Sequence, residues 1–250
     1  MANPIAMRSS NPALSTDTFG GTRAAVGQDA MTIQGTVNKT ALALLILVAT
    51  ASYTWNLGVA DPRIPAFTMV GVIGGLIAAM VTIFKKEWAA TTTPIYAGLE
   101  GLALGGISAV FEARFPGLVS QAVFLTFGTL GALLLAYRSG LIRATENFKL
   151  GVFAATGGIA VIYLINFVMS FFGSSIPMIH SSGTVGIVFS VIVVGVAALN
   201  LVLDFDFIEQ GAQRGAPKYM EWYGAFGLLV TLVWLYLEIL RLLAKLQERR

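Results

Sequence analysis

The chain has 250 residues, 56% hydrophobic and only 12% charged, with a mean hydropathy of +0.77; soluble domains average about 25% charged residues, so a water-facing globule is excluded. Sixteen lysines and arginines against thirteen aspartates and glutamates leave a net charge of +3, too sparse for the basic face that nucleic acid requires. With no cysteine and one histidine, His180, the chain offers no disulfide, thiolate metal site or histidine-rich metal centre, and no redox or zinc cofactor is implied.

Residues 1–40 are rich in Ser, Thr, Asn and Gly and read as a flexible cytoplasmic tail. From there on the chain is a succession of apolar runs, each near the 20 residues that a spanning helix takes. They cover 41–57, 64–84, 95–111, 118–137, 151–172, 185–203 and 222–243. Stop signals separate them, such as Asp61-Pro62-Arg63, Lys85-Lys86-Glu87 and Phe115-Pro116-Gly117. The fold expected is therefore all-α, a polytopic bundle of seven transmembrane helices over residues 41–245, with antiparallel neighbours because the connections are short.

Orientation follows from the lysines and arginines. The tail and the second, fourth and sixth loops hold ten (Arg8, Arg23, Lys39, Lys85, Lys86, Arg138, Arg143, Lys149, Arg214 and Lys218), whereas Arg63 and Arg114 are the two on the other side. The amino terminus is thus expected in the cytoplasm. Arg241, Lys245, Arg249 and Arg250 crowd the final tail and turn ten against two into ten against six, marking the last span as atypical or re-entrant. Three glycine pairs, Gly71 with Gly75, Gly101 with Gly105 and Gly224 with Gly227, have the spacing that lets helices approach closely in lipid.

Ionisable residues inside a bilayer cost about 2.5–3.5 kcal/mol on insertion scales and mark function. Four positions qualify: Glu100 in the third span, Asp204 and Asp206 at the end of the sixth, and Glu238 in the seventh. Depth alone puts Tyr96, Glu100, Asp204 and Asp206 near one surface, where they could form a shallow hydrated pocket for a proton or cation. The alternative is that Asp204, Asp206 and Glu209 only mark a helix leaving the membrane. Glu238 has Arg241 one turn later as a neutralising partner; Glu112 with Arg114 reads as an interfacial pair, and His180 as a solvated loop residue. No serine–histidine–aspartate arrangement can be assembled, so an enzyme is not expected.

Stretches 94–108 (PIYAGLEGLALGGIS), 203–209 (LDFDFIE) and 235–240 (LYLEIL) resemble the Bax inhibitor/YccA-like proteins, the transmembrane Bax inhibitor motif family. Stretches 31–40 (MTIQGTVNKT) and 220–227 (MEWYGAFG) resemble a bacterial branch of it, which implies a plasma-membrane location. The resemblance covers roughly residues 31–245. It implies six helices around a central seventh and a pH-dependent calcium leak controlled by facing carboxylates on the sixth and seventh spans. Asp204, followed by Ile208, matches the first acid, and Glu238 stands where the pattern has Asp. Measured from a turn near Gly215, however, Asp204 and Glu238 differ in depth by roughly 18 Å, which makes Glu100 the alternative partner for Asp204. Two functions stay open: a leak pathway for calcium or protons, whose carboxylates suit a hard cation, or a non-conducting regulator that binds membrane proteins such as the protease FtsH through its polar tail. A coupled transporter would require paired broken helices, which the sequence lacks.

Overall fold

The computed structural model describes residues 30–174, 176, 179 and 181–249. The tail before residue 30, with Arg8 and Arg23, lies outside the described residues, as does His180. The described chain forms seven long helices: α1 (Ile33–Leu57), α2 (Ile64–Phe84), α3 (Ala89–Arg114), α4 (Leu118–Arg138), α5 (Glu146–Ser170), α6 (Thr184–Gln213) and α7 (Met220–Glu248). All seven are long and apolar enough to span a membrane. The last span is one continuous 29-residue helix. Large apolar side chains such as Leu76, Phe124, Leu135 and Leu164 stand exposed on the outside, a surface that only hydrocarbon can cover without cost.

The helix ends follow from local chemistry. Thr32 and Thr145 cap α1 and α5 by accepting the N–H groups of Gly35 and Phe148, and Pro65 occupies the first turn of α2, where its missing donor is harmless. In the α1–α2 loop Asp61 accepts hydrogen bonds from the Arg63 guanidinium and N–H, which hold its carboxyl down at about 2. Glu112 does not pair with Arg114. Its carboxylate accepts the N–H groups of Gly117 (2.6 Å) and Val119 (3.1 Å) at the start of α4, while Arg114 reaches Glu248 at 2.7 Å.

α7 is central, enclosed by α1, α3, α4 and α6; its Phe226, Leu229, Leu235 and Leu240 are completely buried. The two remaining helices are flanks: α2 lies on α3, and α5 lies on α6. Along α3 the expected glycine contacts are present. A Cβ at Gly71 of α2 would come within 2.6 Å of the Ala103 nitrogen and the Leu99 carbonyl, and Gly105 presses on the Ala51 carbonyl of α1. Gly105→Leu forces these two backbones apart and is expected to cost about 1–3 kcal/mol. Thermal unfolding in detergent checks it against Gly128→Leu, whose added side chain meets open space and leaves the midpoint unchanged.

The expected tail is shorter than 40 residues. α1 begins at Ile33, and Met31, Thr36 and Thr40 are buried. Apolar-run counting missed residues 33–40, about two turns, because polar residues seat them. Met31 N–H donates to the Ala216 carbonyl (2.7 Å), and Ala30 bridges Pro217 on the α6–α7 hairpin, turned by Gly215 at φ +66°. Glu221 of α7, fully buried, accepts the Thr32 N–H (2.9 Å) and hydroxyl (2.8 Å) and pairs with Lys39 and, at 3.2 Å, with Lys218.

Candidate functional site

α6 carries a buried stripe at three- and four-residue spacing, including Ser190, Ala197, Leu201, Asp204 and Ile208, turned toward α7. Two contacts fix the antiparallel register. Lys245 donates to Ser190 Oγ at 2.8 Å, and a Cβ at Gly224 would lie 3.2 Å from Ile208. This alignment sets Asp204, which is 0% exposed, opposite Leu228. Glu238 is ten residues further along α7, about 15 Å away in depth, so the mismatch anticipated from the hairpin length is real.

The polar groups that do meet lie between α5, α6 and α7. On α5, Lys149, Thr156 and Tyr163 recur every seven residues, so they share one face, and each reaches inward. Lys149 Nζ is 2.8 Å from Asp206 of α6, whose carboxylate also accepts from the Gln210 side chain. Asn200 of α6 donates to Thr156 Oγ1 (2.9 Å) and to the Val196 carbonyl (2.8 Å). Tyr163 donates to Glu238 of α7 at 2.9 Å. Arg241 donates to the Tyr163 hydroxyl (2.8 Å) and to both Glu238 oxygens (3.0 and 3.1 Å). Beyond them Lys245, only 4% exposed, donates to the Gly186 carbonyl and Ser190, and Glu248 accepts from Ser182. Polar groups therefore recur from one end of the bundle to the other, with Asp204 between the Asp206 and Asn200 levels. Two charge pairs are compensated locally, Lys149 with Asp206 and Arg241 with Glu238, while Lys245 is held by neutral oxygens.

The shallow pocket expected from depth is not assembled. Glu100 is half-buried on the opposite flank of α3, where a Cβ at Gly75 of α2 would come within 2.7 Å of its Oε2. α3 and α6 share no extended contact. Tyr96 turns to α7, its ring edge-on to Phe226 at 5.1 Å. Depth along the chain placed these residues at similar heights; rotation about each helix axis separates them. Among the described residues no three of His, Cys, Asp or Glu gather to hold a metal ion.

Lys149, Thr156, Asn200, Tyr163 and Lys245 were not anticipated. Lys149 and Lys245 fall just outside the apolar windows and read as loop and tail charges. For Lys149, Thr156 and Tyr163 the signal was their seven-residue spacing along α5.

The Bax inhibitor 1 like family model matches residues 11–248. The chain belongs to that family. No curated protein and no solved structure matches it. In this Bax inhibitor 1 like chain the two acids expected to face each other occupy different levels: Asp204 lies near the Lys149 level, and Glu238 is bound up with Tyr163 and Arg241.

Proposed function

We propose that this Bax inhibitor 1 like membrane protein is a leak pathway for a cation, calcium or protons, and that the path follows the polar ladder between α5, α6 and α7. One observation carries the reading: polar side chains recur at successive depths on facing sides of three membrane-spanning helices, where polar atoms otherwise cost several kcal/mol. Asp206 with Lys149 forms one mouth, Asp204 and Asn200 the middle, and Glu238 with Tyr163 the far gate; Glu100 stands outside the path. Carboxylate, hydroxyl and carbonyl oxygens suit a hard cation, and carboxylates can exchange a proton for it, which gives pH sensitivity. The amino terminus is cytoplasmic in this reading, in the plasma membrane of a bacterium, and no catalysis is involved.

Calcium entry into dye-loaded liposomes containing the purified protein tests it. Wild type is expected to conduct, and Asp204→Asn to reduce the rate at least tenfold while its unfolding midpoint and elution stay close to wild type. Inert wild-type vesicles, or equal rates in the variant, would overturn the pathway. The second reading, a non-conducting regulator of other membrane proteins such as the FtsH protease, draws on the local compensation of the ladder's charges, since a purely structural seam would also neutralise its ions. Inert vesicles favour it.

A further inference from the structure

Glu100 lies outside the ladder and deep in the span. The apolar run starts at Ile95, but α3 begins at Ala89, so Glu100 is eleven residues inside the helix, about 17 Å. Its Oε2 rests against Gly75, one residue from the middle of the 21-residue α2. Both helices therefore put the carboxyl near the centre of the bilayer. The glycine makes the room. At Gly71 the crossing is one of backbones, with the Ala103 nitrogen and the Leu99 carbonyl 2.6 Å from where a Cβ would stand. At Gly75 the close atom is Oε2 of Glu100, at 2.7 Å, and the nearest backbone atom is 3.9 Å away. The notch at Gly75 is thus filled by the carboxyl, and any side chain there would displace it.

A carboxylate at this depth is costly unless a cation or a set of donors meets it. Among the described residues Glu100 has no hydrogen bond and no ion pair. α2 has no ionisable side chain between Arg63 and Lys85, about 18 and 15 Å from Gly75 along the axis. α1 meets α3 through Ile46, Leu47 and Thr50; its Lys39 is paired with Glu221, and its Tyr53 lies edge-on to Phe67. On α7 the titratable groups nearest Phe226 are Tyr223 and Glu221, the latter bound by Thr32, Lys39 and Lys218, while Tyr236 bonds Ser108. α4 brings none before Tyr137. On α3 itself, Tyr96 turns to Phe226, Lys86 and Glu87 precede the helix, and Glu112 and Arg114 are about 18 and 21 Å further along. With no cation of the chain in reach, the group left to neutralise this acid is a proton. Unlike the oxygens of Asp204, those of Glu100 keep accessible surface, so the proton can exchange. We propose that Glu100 is a proton-binding site at mid-depth of the α2–α3 seam, separate from the ladder, which takes up and releases one proton.

Dicyclohexylcarbodiimide, which partitions into hydrocarbon, tests the site on the full-length protein in vesicles. The carboxyl proton passes to one carbodiimide nitrogen, and the carboxylate oxygen bonds to the central carbon. Acyl migration from oxygen to nitrogen then leaves the whole reagent on the chain as an N-acylurea, which digestion and mass spectrometry locate. Glu100 is expected to be modified at least tenfold faster than Asp204, which is sealed, and Glu238, which Tyr163 and Arg241 hold. A charged, water-soluble carbodiimide is expected to leave Glu100 untouched. Infrared difference spectra between acidic and alkaline buffer read the proton directly. The carbonyl band of a protonated carboxylic acid is expected in wild type and should be weaker by one carboxyl in Glu100→Gln. Absence of Glu100 modification in wild type overturns the proposal, as does equal modification by the two reagents or a difference spectrum that Glu100→Gln leaves unchanged. The labelling is read on wild type, so it does not depend on a variant's folding. Neither readout involves ion flux, and the result is independent of the ladder.

Discussion

Glu221→Ala is expected to lower the stability of the bundle by about 3–5 kcal/mol, the usual loss when one member of a buried ion pair is removed. The reason lies in how many groups depend on one carboxylate. Oε1 accepts both the N–H and the hydroxyl of Thr32, Oε2 pairs with Lys39, and Lys218 lies 3.2 Å away. Thr32 in turn caps α1 by accepting the Gly35 N–H, so the same substitution loosens the first turn of a second helix. Gly35 completes the device: a Cβ there would collide with the Glu221 carboxylate. At about 2–4 °C per kcal/mol for a chain of this size, the unfolding midpoint in detergent should fall by roughly 10 °C. The double variant Glu221→Leu with Lys39→Met should recover part of the loss, because apolar replacements of a buried pair are tolerated better than its half-removal. A fall of under 1 kcal/mol for the single variant would mean that residues 30–40 are not seated by this contact.

The seven spans were legible because the constraint that writes them is one-dimensional: length at 1.5 Å per residue against a fixed hydrocarbon thickness. Where polar residues extend a helix, that criterion fails, as at Thr36, Lys39 and Thr40, which belong to α1 despite their chemistry. The candidate acids were also legible, since any Asp or Glu in an apolar run stands out. Of their partners, only Arg241 beside Glu238 followed from the spacing and is present; the others did not. Glu100 and Asp204 were matched by height, but the turn of α3 that packs on Gly71 and Gly75 carries Glu100 toward α2, and rotation of this kind is set by packing, not by depth. The seven-residue spacing of Lys149, Thr156 and Tyr163 holds the missing information, because a repeat at that period defines a face as well as a height.

Glu238→Gln separates the structural from the functional role of the ladder. The Glu238 side chain is 3% exposed and Arg241 donates to both its oxygens. Neutralising Glu238 leaves the Arg241 guanidinium, 39% exposed, without its carboxylate, and about 1–3 kcal/mol should be lost, less if Arg241 snorkels toward the surface. Tyr163→Phe removes only the hydroxyl between them and should cost about 1 kcal/mol. The double variant Glu238→Leu with Arg241→Leu removes both charges, and its unfolding midpoint should return close to wild type, since apolar side chains replace a buried pair at little or no cost. Calcium flux then discriminates: if Glu238 is a station on the path, the double variant regains stability and stays at least tenfold slower than wild type. Recovery of flux along with stability would make the pair a scaffold and move the path elsewhere, because the apolar replacement has no oxygen with which to receive a cation at that depth.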